Sequence, residues 1–309
     1  MPTIDVIIPT FNCEKNIDQC LRRIELQDIS GDLNVLVVDG GSTDSTLERV
    51  RDHGVIPILR SGQYATGLTG ARHYGEVLGR APFLWYVDSD NFLVEESVAS
   101  SLLKPLEVDS TLTYSYPLTS ISPKTTSFNR WLSFVEKENV EHEIRRGTPR
   151  GGYVEILEAR YGLTNCSLIR RSAALSVGGY DSDVRMLIRL RRSGIARAAA
   201  VPSAHIWHEQ ATGPLQLGKK LSRRLKVFGK MSDADIVDYF VDTSHQYIRE
   251  NPLRTAPIVS TLNAPFAAII NWARTGDSAW LWGLTYPFVI MAAVMVNPVD
   301  SYRALSRAI

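Results

Sequence analysis

Short, almost uninterrupted apolar runs alternate with longer amphipathic stretches in the amino-terminal part of the chain. The runs are Val6–Ile8, Asn34–Val38, Pro57–Leu59 and Phe83–Val87. Runs of this length, rich in β-branched and aromatic residues, are typical of strands that are buried on both faces. Buried strands that alternate with helices form a parallel sheet covered by helices. The sequence therefore predicts an α/β fold with a mostly parallel, Rossmann-like sheet flanked by helices.

The same periodicity predicts the other elements. An apolar stripe of Ile17, Leu21 and Ile24, extended by Leu26, indicates the first helix. A proline that follows a β-rich run is expected to end a strand, because it has no N–H group to donate. The predicted elements are helices over about Glu14–Gln27, Leu47–Asp52 and Phe128–Val140, a strand over Thr111–Tyr116 ending at Pro117, and a strand ending near Glu209.

Carboxylates follow two of the predicted strands directly. Asp39 ends the second strand and Asp88 follows the fourth, and ligands of parallel sheets bind beyond the carboxyl ends of the strands. Side chains alternate along an extended chain, so we expect Asp88 and Asp90 to point to the same side, roughly 6–7 Å apart along the backbone. Two such anions repel each other unless a cation lies between them. Oxygen ligands favour Mg²⁺ or Mn²⁺ with a diphosphate in the shell, and the alternative is a helix-capping turn.

Four segments around these strand ends occur in a specific order. They are Pro9–Asn12, Asp39–Asp44, Gly67–Gly75 and Asp88–Asp90, and neither a G-x-G-x-x-G turn nor a G-K-[ST] loop accompanies them. Together they resemble the family-2 glycosyltransferases, which are inverting enzymes with the GT-A (nucleotide-diphospho-sugar transferase) fold. The resemblance is strong over about residues 3–92 and looser over about 160–210.

The resemblance implies a role for each matched residue. In that family the residue at the position of Asp39 hydrogen-bonds the nucleotide base, typically uracil. Arg72 would contact phosphate or fix the aspartate pair. Asp90 and Asp88 would hold Mg²⁺ or Mn²⁺, joined by His205 or His208. The residues implied to bind the nucleotide sugar are Pro9, Thr10, Asn12, Asp39, Gly70, Arg72, Asp88 and Ser89.

The resemblance also extends to a Gly-Gly-Tyr-Asp segment that would lead into the catalytic base. Alignment on the pair Arg189-Leu190 places Asp183 at the general-base position, with Asp181 as the alternative. The flanking acidic positions of the family are Ser182 and Arg185 here. An acceptor phosphate is already ionised and needs less help from a base than a hydroxyl does. An acidic cluster with fewer carboxylates than the family pattern therefore fits a phosphate acceptor or an enzyme that has lost activity. Alternatively, Asp181 or Ser182 only caps the next helix.

Two uncharged stretches dominate the carboxyl-terminal part. Ser278–Val299 is 22 residues long, which is enough to cross a bilayer, and Ala256–Ala273 is a weaker, proline-containing stretch of 18. A basic run from Lys219 to Lys230 precedes them and suits an anionic membrane surface. The pattern predicts a membrane-associating helical hairpin, which either spans the bilayer or lies in one leaflet. A hydrophobic dimer interface is the alternative.

Composition limits the remaining choices. The 309-residue chain has a net charge of +1, which argues against nucleic-acid binding through bulk electrostatics. Its three cysteines lack metal-type spacing, so reduced thiols in a cytosolic setting are expected. We expect a GT-A domain over about 1–215, a basic amphipathic connector over 216–255 and the hydrophobic hairpin over 256–309. The catalytic domain is expected on the cytoplasmic side of the membrane.

These expectations combine into a function in glycan biosynthesis. The resemblance and the hairpin together imply transfer of a sugar, with inversion, from a UDP- or GDP-sugar to a membrane-held acceptor. The favoured acceptors are a polyprenyl or dolichyl phosphate and a lipid-linked saccharide. One alternative is a transferase that acts on a soluble saccharide, and another is a catalytically impaired, membrane-bound partner of a different transferase. The sequence leaves the sugar and the oligomeric state open.

Overall fold

The computed structural model describes most of the chain. It describes residues 3–29, 31–59, 67–159, 163, 166–228 and 257–296, with the backbone alone at 67–69, 139, 183–184, 223–228 and 257–263. The chain forms two compact units. The first comprises Met1–Ser120 and Glu136–His208, and the second comprises Ile121–Val135 and Glu209–Ile309.

The described residues of the first unit form one ten-stranded sheet with the order β3-β2-β1-β4-β9-β6-β10-β8-β7, in which β5 pairs with β10. The strands are β1 Ile4–Thr10, β2 Leu33–Asp39, β3 Ile58–Leu59, β4 Phe83–Tyr86, β5 Asn91–Leu93, β6 Tyr114–Ser120, β7 Thr148–Arg150, β8 Tyr153–Ile156, β9 Leu168–Arg170 and β10 Ala198–His208. Strands β1 to β4 pair in parallel, as does β6 with β10, whereas β9 is antiparallel to β4 and β6. The predicted α/β fold is confirmed, and the sheet is mixed beyond β4.

The helices lie between these strands and after them. They are α1 Ile17–Glu25, α2 Thr46–Asp52, α3 Gly67–Leu78, α4 Val98–Val108, α5 Ser127–Ile144, α6 Arg171–Ser176, α7 Asp183–Arg192, α8 Pro214–Phe228, α9 Pro257–Thr275, the 3₁₀ helix Ser278–Thr285, and α10 Tyr286–Val296. Helix α1 buries Ile17, Leu21 and Ile24 as predicted. Leu26 is exposed because the helix ends one residue before it, so its assignment to the buried stripe was wrong.

The core of the first unit covers both faces of the sheet. Ile4, Val6 and Ile8 of β1 belong to one apolar cluster, and Ile7 belongs to another. Neighbouring side chains of a strand point to opposite faces, so this strand is buried on both sides. That burial explains why its sequence is almost continuously apolar, and it fixes the strand ends on which the site is built.

Pro117 does not end a strand, contrary to the expectation from sequence. Strand β6 continues through it, and two features of the sheet tolerate the missing N–H. Strand β9 pairs only with Tyr114 and Ser115, before the proline. On the other side, the register with β10 shifts between Val201 and His205. A proline within a sheet is accommodated where the ladder is interrupted in this way.

The second unit packs aromatic side chains around its helices. Trp280 stacks on Phe134 with ring centroids 5.0 Å apart, and Arg130 pairs with Asp277 at 3.1 Å. In the described part of the chain, Ser278–Val296 alone is long and apolar enough to cross a membrane, by length and composition only. The weaker predicted stretch corresponds to α9, which contains a proline, and the last three residues of the stronger one lie outside the described residues.

Candidate functional site

Several of the predicted site residues lie at the carboxyl ends of β1, β2 and β4. Thr10 and Asp39 are the last residues of two neighbouring parallel strands and are paired in register. Strand β4 lies on the other side of β1 and ends two residues before Asp88. The convergence expected from the parallel-strand pattern is therefore present in the structure.

The carboxylate of Asp39 orders the turn that follows β2. One oxygen accepts hydrogen bonds from the backbone N–H groups of Gly41 and Ser42, both at 2.7 Å. The other accepts from the Thr10 hydroxyl at 2.8 Å and from the Ser42 hydroxyl at 2.6 Å. Gly41 has φ +90°, a conformation that favours glycine. Asp39 is only 1% exposed, so in this conformation its carboxylate acts within the protein and fixes the wall formed by the two turns.

The turn after β1 is tied to the turn after β2. Asn12 adopts φ +50°, its side-chain oxygen accepts from the Thr43 N–H at 2.9 Å, and its own N–H donates to the Ser42 hydroxyl at 2.9 Å. Asp44 accepts from the N–H and hydroxyl of Thr46 at 3.1 and 2.6 Å. Desolvation acts to raise the pKa of Asp44, but these hydrogen bonds outweigh it and lower the pKa below its ordinary value. The Asp44 carboxylate thus closes a local turn onto Thr46, the first residue of α2, whose N-cap is Ser45.

Arg72 connects Asp88 to a tyrosine far along the chain. Its side chain is buried on α3, two residues after Gly70, and forms an ion pair with the Asp88 carboxylate. The same guanidinium donates to the Tyr180 hydroxyl at 2.7 Å and lies over that ring, 5.0 Å from its centroid. Asp88 is therefore held by a cation that belongs to the protein.

Asp88 and Asp90 lie in a turn and contact different partners. Strand β4 ends at Tyr86, and the Asn91 N–H donates to the Asp88 carbonyl at 2.9 Å, which closes a turn through Ser89. The expectation that the chain is extended here was therefore wrong. Asp90 instead lies 3.8 Å from Nε2 of His208.

The two candidate histidines have separate carboxylate partners. His208 is mostly buried, and its Nδ1 lies 3.2 and 3.3 Å from the two carboxylate oxygens of Glu136. His205 bonds Glu95 through Nδ1 at 2.8 Å and through its backbone N–H at 2.9 Å. The structure therefore brings His208, and not His205, to Asp90.

The donor set beside Asp90 suits an open metal site. Among the described residues, no group of three His, Cys, Asp or Glu side chains is arranged to hold a metal. Asp90 and His208 offer one oxygen and one nitrogen ligand. Asn91 pairs with His208 across the strands and is 1% exposed, and no described residue hydrogen-bonds its amide. Mg²⁺ and Mn²⁺ commonly use few protein ligands and complete their shell with phosphate oxygens and water. The residues present fit such an ion.

The segment that leads to the expected catalytic base is fixed by α7. Asp181 accepts from Arg189 at 2.7 Å and lies 3.7 Å from Arg185. The Ser182 hydroxyl accepts from the Arg185 N–H at 3.1 Å. Of the two candidate caps, Asp181 and Ser182, the N-cap of α7 is therefore Ser182. Asp183 is the first residue of α7, and its side chain lies outside the description. As a base, Asp181 would first have to leave its arginine partners.

Sequence reasoning missed the buried acids that hold this site together. Glu76 accepts from the Tyr180 N–H at 2.8 Å, and Glu136 contacts His208. The available signal was weak: Glu76 stands four residues after Arg72 on α3, a spacing that equally indicates an exposed ion pair. Glu136 stands four residues after the buried Leu132 on α5, which places it on the buried side of that helix.

The three cysteines contribute no reactive thiolate. Burial raises the pKa of Cys13, Cys20 and Cys166 above the ordinary value of a thiol, and all three are free. They therefore remain protonated thiols at neutral pH.

Residues 5–178, more than half of the 309-residue chain, match the sequence profile of Glycosyl transferase family 2. Chondroitin synthase of Escherichia coli is 34% identical over 100 residues, which is 32% of this chain and 14% of that protein. The GalNAc(5)-diNAcBac-PP-undecaprenol beta-1,3-glucosyltransferase of Campylobacter jejuni is 28% identical over 111 residues, 35% of this chain and 36% of that protein. The chain thus matches well under half the length of these two relatives.

A solved structure with a similar fold is the mannosyltransferase PcManGT from Pyrobaculum calidifontis in complex with GDP-Man and Mn²⁺. The TM-score is 0.61 at 17% identity, and the match covers 97% of this chain and 88% of that one. At this identity the likeness establishes the fold alone, which is GT-A. The fold expected from the sequence motifs is confirmed.

Proposed function

The chain belongs to glycosyltransferase family 2, and we propose that it transfers a sugar, with inversion, from a nucleotide-diphosphate donor to an acceptor held at a membrane. The observation that carries the proposal is the set of side-chain contacts at the carboxyl ends of β1, β2 and β4. There a preformed wall, a paired Asp88 and the Asp90–His208 pair converge within the region that matches the family.

We assign the nucleotide to the wall made by the two tied turns. Pro9, Thr10 and Asn12 line it on one side and Asp39 on the other, with Gly70 and Ser89 at the diphosphate side. The saturated hydrogen bonds of Asp39 support a role in shaping this wall. Contact of its carboxylate with the base is part of the proposal.

Asp90 and His208 would hold Mg²⁺ or Mn²⁺, with Asp88 beside them. When bound, the ion supplies positive charge that stabilises the departing nucleoside diphosphate. The GDP-Man and Mn²⁺ named for the similar mannosyltransferase support this assignment. The protein's own contribution is Arg72, which neutralises Asp88, and Glu136, which leaves Nε2 of His208 facing Asp90.

A screen of UDP- and GDP-sugars tests the proposal directly. We expect one donor to raise the melting temperature and to be hydrolysed slowly, with both effects lost in EDTA and restored by Mn²⁺ or Mg²⁺. The alternative, an impaired partner of another transferase, is motivated by Ser182 and Arg185 in the acidic cluster. A protein that neither binds nor hydrolyses any donor would support that alternative.

Replacing Glu136 by glutamine is expected to weaken Mn²⁺ binding by about 10- to 100-fold, because outer-shell carboxylates orient metal-binding histidines and raise their basicity. The affinity is measured as the EPR signal of free Mn²⁺ during titration, in the presence of the nucleoside diphosphate. Glu95→Gln is the matched control, since Glu95 makes the same kind of contact with His205. Equal losses in both variants would exclude a specific role for Glu136.

The membrane-held acceptor is supported by apolar faces of the second unit. On α10, Phe288 and Met295 are 67% and 72% exposed, while Val289 and Ala293 are buried. On α9, Phe266 and Ile270 lie one turn apart, and both are largely exposed. Exposed aromatic and aliphatic side chains at this spacing suit a lipid surface.

The name of a relative and the positive charge of the basic run both support a lipid partner. The name of the similar Campylobacter jejuni enzyme includes a diphosphate-linked undecaprenol. The sequence from Ala211 to Ser232 carries six cations and no acidic residue, which suits anionic headgroups. We therefore propose a polyprenyl phosphate or a lipid-linked saccharide as the acceptor, with the catalytic domain on the cytoplasmic side. A soluble saccharide as the better acceptor would contradict the lipid part.

The double variant Phe288→Glu/Met295→Glu is expected to bind vesicles of phosphatidylcholine and phosphatidylglycerol at least about 10-fold more weakly, since two large side chains lose apolar burial. Co-sedimentation with the vesicles measures the affinity. Val108→Glu and Leu157→Glu change exposed apolar residues of the first unit and serve as controls. Unchanged binding of the double variant would exclude this face from membrane contact.

A further inference from the structure

A buried carboxylate on α3 holds the segment that precedes α7. Glu76 is 1% exposed and accepts from the Tyr86 hydroxyl, from the Tyr180 N–H at 2.8 Å and from His73 Nδ1 at 3.0 Å. Burial and the nearby Glu76 raise the pKa of Tyr86 well above its ordinary value, so its hydroxyl remains a donor. A buried carboxylate needs such donors, and their geometry fixes the groups that donate.

The same tyrosine contacts the donor side of the site. The Tyr180 hydroxyl accepts from Arg72, and Arg72 also pairs with Asp88. The rings of Tyr86 and Tyr180 lie 5.1 Å apart. Tyr180 is therefore held by its backbone at Glu76 and by its hydroxyl at Arg72.

The segment before α7 packs closely against α3 at Gly179. Gly179 has φ +74°, and a Cβ there would lie 2.8 Å from a carboxylate oxygen of Glu76 and 3.0 Å from the His73 ring. On the far side, Arg189 donates to the Gly179 carbonyl at 2.6 Å. Contacts from α3 and from α7 thus fix the same residues.

We propose that Glu76 is a positioning residue. Through Tyr180 it fixes the position of the segment Gly178–Asp183 relative to Asp88. That segment leads to the proposed base on the acceptor side, and Asp88 lies on the donor side. This role rests on the proposed function, which defines the donor side and the acceptor side. Glu76 itself contacts no substrate in this proposal. Its chemical basis is that a carboxylate accepts at both oxygens, whereas the glutamine amide would present a donor to Tyr86 or to the Tyr180 N–H.

Glu76→Gln and Tyr180→Phe separate positioning from general stability. With the donor and the hydroxyl acceptor of a lipid-linked saccharide both saturating, we expect the ratio of transfer to donor hydrolysis to fall at least about 10-fold in each variant, because a misplaced base slows attack by the bound acceptor more than attack by freely diffusing water. The dissociation constant for the donor should stay within about 2-fold. Tyr116→Phe is the matched control, since it removes a buried hydroxyl that bonds Glu143 at 3.2 Å. That variant should keep the wild-type ratio.

Amide hydrogen exchange provides a readout that does not need turnover. Exchange across residues 177–182 should accelerate at least about 10-fold in Glu76→Gln and not in Tyr116→Phe, since the Tyr180 N–H loses its carboxylate partner. Unchanged exchange, or equal losses of transfer and hydrolysis, would overturn the positioning role. If the wild-type protein turns over no donor while exchange responds as stated, the proposed function fails and the positioning of the segment is supported.

Discussion

Asp90→Ala is expected to lower kcat/KM for metal-dependent turnover of the nucleotide sugar by at least about 10³-fold, because an ion at a departing diphosphate supplies several kcal/mol of stabilisation. Asp88 cannot replace the lost ligand, since Arg72 already pairs with it. His208 would remain, held by Glu136, but a single imidazole binds Mg²⁺ or Mn²⁺ weakly. The loss should therefore be close to the effect of EDTA on the wild-type protein.

Two measurements make this expectation specific to the metal. Turnover is measured over a range of Mn²⁺ concentrations, and Mn²⁺ binding is measured separately by EPR. Asp109→Ala is the control, because it removes a carboxylate from another local turn, in which Asp109 accepts hydrogen bonds from Thr111. An Asp90→Ala protein that retains metal-dependent turnover would remove Asp90 from the proposed site. In a partner protein without activity, the substitution would change little.

The position of the proposed donor site could be predicted because it follows from strand direction alone. The sequence predicts buried parallel strands at Val6–Ile8 and Asn34–Val38, and parallel strands bring their carboxyl ends to one edge of the sheet. Asp39 and Asp88 had to meet near that edge wherever the helices lay. Their local geometry did not follow from the pattern. Asp88 lies in a turn, and side chains no longer alternate between two faces once the strand has ended.

The buried acids could not be predicted, because their partners are distant in sequence. Glu76 is 104 residues from Tyr180, and Glu136 is 72 residues from His208. The local sequence of Glu76 does not differ from that of an acid on an exposed helix face, and the spacing of Glu136 to Leu132 is only a weak signal of burial. A carboxylate is buried only where several donors converge on it, and that convergence is a property of the assembled sheet and helices. The choice of His208 over His205 also required these partners.

On the proposed acceptor side of the site, the described groups around the start of α7 are engaged in structural contacts. Asp181 is engaged by Arg189 and Arg185, and Ser182 is used as the cap of α7. These contacts leave Asp183 as the acidic residue of this segment that we propose as the base. How much the reaction needs a base depends on the acceptor, since a phosphate arrives ionised and a hydroxyl does not.

Asp183→Asn is therefore expected to distinguish the two acceptor classes. Transfer to the hydroxyl of a lipid-linked saccharide should fall about 10²- to 10⁴-fold, the usual contribution of a general base, whereas transfer to a polyprenyl phosphate should fall less than about 10-fold. The measurement is kcat with each acceptor at saturating donor. Asp181→Asn tests the alternative base: a selective loss with the hydroxyl acceptor in this variant, and not in Asp183→Asn, would assign the role to Asp181. Equal, large losses on both acceptors in Asp183→Asn would instead indicate that Asp183 supports the start of α7, and the base would have to be sought elsewhere.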